Sequence, residues 1–427
     1  MSEATLIKHL TALEILDSRG HPTLQVTVIL ESGIHATASV PSGASTGLHE
    51  AAELRDGGAP HGGRGVRKAV SLVEGEIADA LRGVDVTGQA GVDQRLIDLD
   101  GTQNKSRLGS NSILGTSMAV ARAAARCRRQ PLYASLGGDR ATLLPMPCMN
   151  VLNGGKHADS SLDFQEFMIV PVGAPSFREA LRYGAEVYAA LRSLLQQRNL
   201  STSVGDEGGF APRLDGNEAA CALIVEATER AGYRPGRDIA IALDPAASSF
   251  ATADGYALDR SGGGTLDRAA LLRLYDRWLG LWPIVSIEDG FAEEDWDGFV
   301  AQTSTQGDRI QIVGDDLLVT NPRFIERGIA ARAANAALIK PNQIGTVTET
   351  IAAIRLCQEA GWGTMMSHRS GETTDSFIAD LAVGLGCGQI KAGAPCRGER
   401  LAKYNRLLAI EAELGALARF GNPFRPR

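Results

Sequence analysis

The alternation of hydrophobic and polar positions changes its period along this chain, and the change falls near residue 140. Before it, "LQVTVILESGIHATASV" alternates apolar and polar residues on both sides of "ESG", which predicts two antiparallel strands within a meander over residues 5–40. Residues 66–82 and 109–136 have helical periodicity; the second stretch is Ala-rich and ends in glycines. "GGRGVRKAV" at 62–70 is Gly-rich ahead of a helix, but no apolar strand precedes it, so it reads as a mobile loop rather than a dinucleotide fingerprint. The two prolines of "DRATLLPMPCMN" mark a seam, dividing the chain into domains of residues 1–140 and 141–427.

Beyond the seam, short continuous apolar runs recur: "FMIVPV", "IAIALD", "PIVSIED", "IQIVGDD", "AALIK", "TMMSH" and "GQIKAG". Amphipathic stretches at 176–197, 216–231, 266–279, 347–360 and 374–385 separate them. Uninterrupted apolar strands alternating with helices predict a parallel sheet buried on both faces. Roughly 250 or more residues of this texture suit a β/α barrel, with a doubly wound sheet as the alternative.

Composition narrows the function. Hydrophobic residues make up 44% and charged residues 22%, enough for sizeable cores. The net charge of −7, a pI near 5.6 and the lack of any long basic run argue against nucleic acid as the main partner. A small anionic ligand in a local positive site remains open. The amino-terminal stretch has no signal-peptide pattern and no 18-residue apolar span follows, so a cytoplasmic protein is expected. Six scattered cysteines, at 127, 148, 221, 357, 387 and 396, form no C-x-x-C pair and read as reduced thiols.

The chemistry gathers where the apolar runs stop. They end in Asp244, in Glu288 and Asp289, in Asp315 and Asp316, then in Lys340, His368 and Lys391. Parallel barrel strands end on one face, which is where barrel active sites lie. Three converging carboxylates repel one another unless a cation neutralises them, and oxygen-only ligands select Mg²⁺ or a similar hard ion. Spacing alone does not choose between Glu288 and Asp289, or between Asp315 and Asp316. Lysine is scarce here, a handful of the 43 basic residues. Arg cannot be deprotonated whereas Lys can serve as a base, so Lys340 reads either as a general base or as a strand-end cation reaching water. His157 and His368 lie in the polar segments "NGGKHADSS" and "SHRSGET", open to a structural or a functional role. "VGDEGGFAP" sets Asp206 and Glu207 among glycines, and "PSGASTG" at 41–47 reads as an anion- or metal-binding loop or an ordinary turn.

Twelve segments in order resemble the enolase family over essentially the whole length: "DSRGHPT", "VPSGASTG", "LRDG", "DGTQNKSRLGSNSILG", "VLNGGKHADSSLDFQEFMI", "VGDEGGFAP", "ALDPAAS", "SIEDGFAEEDWDGF", "VGDDLLVTNP", "LIKPNQIGT", "SHRSGET" and "GQIKAGAP". The resemblance implies a small α+β amino-terminal domain followed by an eight-stranded β/α barrel with an atypical start. It implies Mg²⁺-dependent dehydration of 2-phosphoglycerate to phosphoenolpyruvate, with two ions per site in a cytoplasmic homodimer or homo-octamer.

Carried over position by position, the resemblance implies Asp244, Glu288 and Asp315 as ligands of the first ion and Ser45 as a ligand of the second. It implies Lys340 as the base at C2, Glu207 as the acid at the C3 hydroxyl and Glu166 as the partner of Glu207. Arg369 and Ser370 fall at phosphate-binding positions, and Lys391, His157, Gln165 and His368 at substrate-pocket positions. Ser249, Thr374, Ala392 and the shortened loop near 57–65 depart from the family pattern. They keep two alternatives in view: a specialised paralogue such as a carboxyphosphonoenolpyruvate synthase, and a non-catalytic binding protein on the same fold.

Overall fold

The computed structural model describes residues 3–44, 46–158 and 160–424. An antiparallel sheet opens the chain: β1 (Ile7–Leu16), β2 (Pro22–Leu30) and β3 (His35–Ser39). Alternation in β2 turns Leu24, Val26, Val28 and Leu30 inward, onto the Ala-rich helix Ser110–Cys127. Gly115 lets that helix come close, since a Cβ there would lie 2.7 Å from Val26 Cγ2. The expected helix at 109–136 is interrupted at Arg129, whose φ is 53°, and at Pro131 before it resumes as Leu132–Gly137. The stretch at 66–82 is helical with one wider turn, Val73–Ile77. Part of the segment expected as a mobile loop, 67–70, is therefore helix. Asp56 explains it, because its carboxylate accepts from the backbone N–H groups of Arg67 (2.9 Å) and Lys68 (2.8 Å) and satisfies the helix start.

The barrel begins with β4 (Met146–Asn153), β5 (Glu166–Val170) and β6 (Ala240–Asp244). A small sheet of β7 (Ala251–Thr252), β8 (Gly255–Leu258) and β9 (Gly264–Leu266) lies outside it. The barrel continues with β10 (Ile284–Glu288), β11 (Gln311–Gly314), β12 (Ala336–Ile339), β13 (Gly363–Ser367) and β14 (Gly388–Lys391), closing through β14–β4 and β6–β10. The first barrel strand starts shortly after the expected division at 140: Pro147 precedes the antiparallel pairing with β5, which starts at Met149, so its missing N–H costs that ladder nothing. One expectation is corrected: the sheet is not wholly parallel, because β5 runs opposite to both neighbours. Among its described residues the 154–165 connection holds the turn Gly155–His157 and no crossover helix to carry the chain back to the far end.

Alternate residues of the strands face the barrel interior. Met146 and Cys148, Met168 and Val170, Ala240 and Ala242, Val313, Ala336 and Leu338, and Met365 pack there as one cluster. The residues between them, such as Leu243, Ile287, Ile312 and Ile339, belong to the larger core beneath the helices. The sheet domain meets the barrel through buried polar contacts. Arg122 donates to Asp375 from both terminal nitrogens (2.6 and 2.8 Å), and Ser42 and Gly371 exchange backbone hydrogen bonds (2.8 and 2.9 Å). No helix among the described residues is long and apolar enough to cross a membrane.

Candidate active site

Continuing the inward alternation by one step turns the barrel interior from apolar to ionic. From 146 and 148 the next position is Asn150; from 240 and 242 it is Asp244; from 336 and 338, Lys340; from 313, Asp315; from 286, Glu288; from 389, Lys391. Because β5 is reversed, the same step leads backward from 170 and 168 to Glu166, which registers against Asp244. Alternation turns Glu288 and Asp315 inward. Asp289 and Asp316 also line the cavity and cluster with Asp315, and Asp289, at φ 42°, accepts from the backbone N–H groups of Asp315 and Asp316 (2.8 Å each).

Two ammonium groups hold these carboxylates. Lys391 Nζ lies 2.8 Å from Asp244 Oδ2, 2.8 Å from Glu288 Oε1 and 3.2 Å from Glu166 Oε1. Lys340 Nζ is 2.5 Å from Asp315 Oδ2, and Gln343 donates to the other oxygen of Asp315 at 2.9 Å. Burial alone would lower the pKa of Lys340, but Asp315 outweighs it and holds the amine above its ordinary value. In this arrangement Lys340 is an ammonium paired with Asp315. Burial, then the Asp244 charge, pushes Glu288 well above the carboxylate range.

A second cluster closes the other side. His157 Nδ1 is 3.7 Å from both Glu166 Oε1 and Glu207 Oε1, and His368 Nε2 is 3.2 Å from Glu207 Oε2. Asn150 donates to Glu207 Oε2 at 3.0 Å. Burial, then the Glu207 charge, drives Glu166 well up. Burial would raise Glu207 as well, but the neighbouring His368 and His157 outweigh it and draw it well down. The two neighbouring carboxyls are thus pushed apart, Glu166 up and Glu207 down. Burial lowers both imidazoles, His368 to about 3, against the Glu207 charge that raises them.

The third side is a turn beyond β13. Arg369 donates to Glu50 from both terminal nitrogens (2.9 and 3.1 Å), and Ser370 Oγ accepts from Ala44 N (2.6 Å) and Arg19 Nη1 (3.3 Å). These contacts bring in a carboxylate and an arginine from the sheet domain. Eleven of the expected residues line one polar cavity: His157, Gln165, Glu166, Glu207, Asp244, Asp315, Lys340, His368, Arg369, Ser370 and Lys391. Glu288 lies just beneath it on Lys391, and Ser45 falls outside the described residues.

The sequence matches the family descriptions "Enolase, N-terminal domain" over residues 7–136 and "Enolase, C-terminal TIM barrel domain" over residues 141–425. The chain belongs to the enolase family. Enolase 1 of Methylococcus capsulatus is 61% identical over 416 residues, covering 97% of this chain and 99% of that protein. The enolase of Desulfotalea psychrophila is 57% identical over 416 residues, covering 97% and 98%.

Within this enolase fold the donor set suits a hard divalent cation. Asp244, Glu288 and Asp315 offer only oxygen, and among the described residues Glu288 Oε2 and Glu166 Oε2 are buried without a hydrogen-bond partner. Sequence reasoning missed Asn150, Gln343, Glu50, Arg19 and Arg400. Asn150 was open to the same alternation that places Asp244, and Arg19 stands inside the "DSRGHPT" segment. Glu50 and Arg400 carry no periodic signal, because tertiary contacts alone bring them to the site.

Proposed function

We propose that this chain catalyses the Mg²⁺-dependent, reversible dehydration of 2-phosphoglycerate to phosphoenolpyruvate. The observation that carries this reading is one cavity holding the buried Lys391 and the half-buried Lys340, inward-facing carboxylates and the Glu166–Glu207 pair on facing sides. Asp244, Glu288 and Asp315 would hold the metal. Bound there, divalent ions supply positive charge to the substrate carboxylate, where charge doubles as the C2 proton leaves, and relieve Asp315 of its hold on Lys340.

Lys340, once neutral, takes the C2 proton onto Nζ; it lies on a rigid strand end that fixes it beside the carboxylates. The C2–H electron pair is first held as the second charge on the carboxylate and then becomes the C2–C3 double bond as the C3–O bond breaks. Glu207 gives its proton to the departing hydroxyl, which leaves as water. Glu166, the carboxyl held up, first passes that proton to Glu207, and Lys391 adds fixed positive charge at the carboxylate. Arg369 and Ser370 bind the phosphate, while His157, Gln165 and His368 shape the pocket. A cytoplasmic homo-oligomer fits the six free cysteines.

A specialised paralogue is disfavoured by where the family departures fall. Ser249 and Thr374 are exposed, Ala392 is packed in the core, and none lines the cavity. Purified protein given 2-phosphoglycerate and Mg²⁺ should form phosphoenolpyruvate, read by its ultraviolet absorbance, with an efficiency of about 10⁴ M⁻¹s⁻¹ or more. Efficiency several orders lower, with metal bound and fold intact, rejects this reading.

A further inference from the structure

Arg400, in the helix Gly398–Leu414, is wholly buried, and its guanidinium spans the seam between two parts of the cavity. Nη2 donates to the carbonyls of Asp206 (3.0 Å) and Ser370 (2.5 Å), and Nη1 to the carbonyl of Arg369 (2.5 Å) and to His368 Nδ1 (2.6 Å). Its stem packs on Gly393, where a Cβ would lie 2.8 Å from Arg400 Cδ. An arginine that only satisfied buried carbonyls would account for three of these bonds. The fourth has chemical content. A guanidinium donates, accepts nothing and keeps its charge. His368 Nδ1 must therefore be the acceptor, and the ring proton lies on Nε2, the nitrogen 3.2 Å from Glu207 Oε2.

We propose that Arg400 is a positioning residue that fixes His368 as the tautomer with its proton on Nε2, the nitrogen on the Glu207 side, and ties the Asp206–Glu207 segment to the Arg369–Ser370 turn. This rests on the roles proposed above for Glu207 and the phosphate-binding turn. The direction of the effect follows from the tautomer. When the Glu207 proton passes to the departing C3 oxygen, a carboxylate is left, and an N–H facing it stabilises that product state. The opposite tautomer would face it with a lone pair and oppose the transfer. His368 keeps its own proton throughout. The charged groups around its ring are Glu207, Arg400 and Lys391. The bonds to the Arg369 and Ser370 carbonyls set the turn at the same distance from the acid, so one side chain registers proton donor against phosphate site.

The test is the ¹⁵N spectrum of the full-length protein labelled at histidine, with His368 assigned by the signal that His368→Asn removes. The wild type should show a neutral ring protonated at Nε2 across neutral pH. Arg400→Met should give a mixture of tautomers, with kcat falling about ten- to hundredfold in the folded protein. Arg400→Lys, which keeps one charged donor, should recover the single tautomer and most of kcat. A purely structural arginine would instead lower Tm and leave the tautomer and the kcat of the folded fraction unchanged. A wild-type ring that is protonated at Nδ1 or doubly protonated at neutral pH overturns the proposal whether or not any variant folds. So does a folded Arg400→Met that keeps the Nε2–H form. Failure to turn over 2-phosphoglycerate would strike the functional reading alone, since the tautomer is read without substrate.

Discussion

The two sides of the cavity are held in place by different physics. Asp244, Glu288, Asp315, Lys340 and Lys391 sit at or just beyond successive barrel strand ends, each aimed inward by alternation and locked by register to its neighbours. Arg369 and Ser370 sit in a turn outside the sheet; Glu50, Arg19 and Ala44 of the other domain hold their side chains, with Asn342 and Arg400 of the barrel domain holding the turn from behind. The first side inherits its precision from a packed core; the second is only as good as an interface. Changes on the first side should therefore alter chemistry without moving the turn, and changes at the interface should alter substrate placement without touching the proton-transfer groups.

The largest effect is expected at Lys340. Lys340→Ala should lower kcat by about 10³-fold or more and abolish exchange of the C2 proton with solvent, followed by NMR. Lys340→Arg should fare no better, because its guanidinium stays protonated. Wild-type exchange in either variant would place the base elsewhere. Next comes Asp315→Asn. It removes a carboxylate charge from the proposed metal set, so Mg²⁺ affinity should weaken more than tenfold by calorimetric titration. The wild type should lose activity in excess chelator and regain it with Mg²⁺. Full turnover in chelator would end the metal reading.

The interface side is probed at Gly371. A Cβ there would lie 2.2 Å from Asp17 Oδ2 and 2.5 Å from Arg19 Nη2, so Gly371→Ala must push the turn and its partner apart. Misplacement of this kind should cost about ten- to hundredfold in kcat/KM, carried mainly by KM, while C2 exchange at saturating substrate persists. A loss confined to kcat would erase the distinction between the two sides.

How much of this was legible beforehand follows the same division. Apolar runs ending in acid, acid, acid and lysine mark one face of a barrel because strand alternation is written locally, two residues at a time. Local pattern did not reveal that β5 is reversed, since an apolar run reads alike in both directions; the missing crossover helix before it was the available clue. It also says nothing of how the charges are paired. Lys340 and Glu207 take their charge states from Asp315, His368 and Glu166, which are distant in sequence. Glu50 and Arg400 were silent for the same reason.

The smallest effect on activity is expected far from the chemistry, at the Arg122–Asp375 pair that joins the sheet domain to the barrel. Burial would raise Asp375, but Arg122, with the backbone N–H groups of Ser39 and Phe377, outweighs it and keeps the carboxyl below its ordinary value of 3.8. For an acid whose folded pKa is depressed, the stabilisation is present above the unfolded pKa and is lost as pH falls through the folded one. At pH 7 the pair contributes in full. Asp375→Asn should then destabilise by about 3 kcal/mol, because it leaves Arg122 half-buried without its counter-charge. The gap in Tm between variant and wild type should hold from neutral pH down to about 4 and narrow below it, as the wild-type carboxyl takes up its proton. With the variant kept below its Tm, kcat and KM should match the wild type, since neither residue lines the cavity. A gap that stays constant through the acid range would show that Asp375 acts through shape rather than charge. A raised KM would mean that this contact, too, helps to hold the Arg369–Ser370 turn.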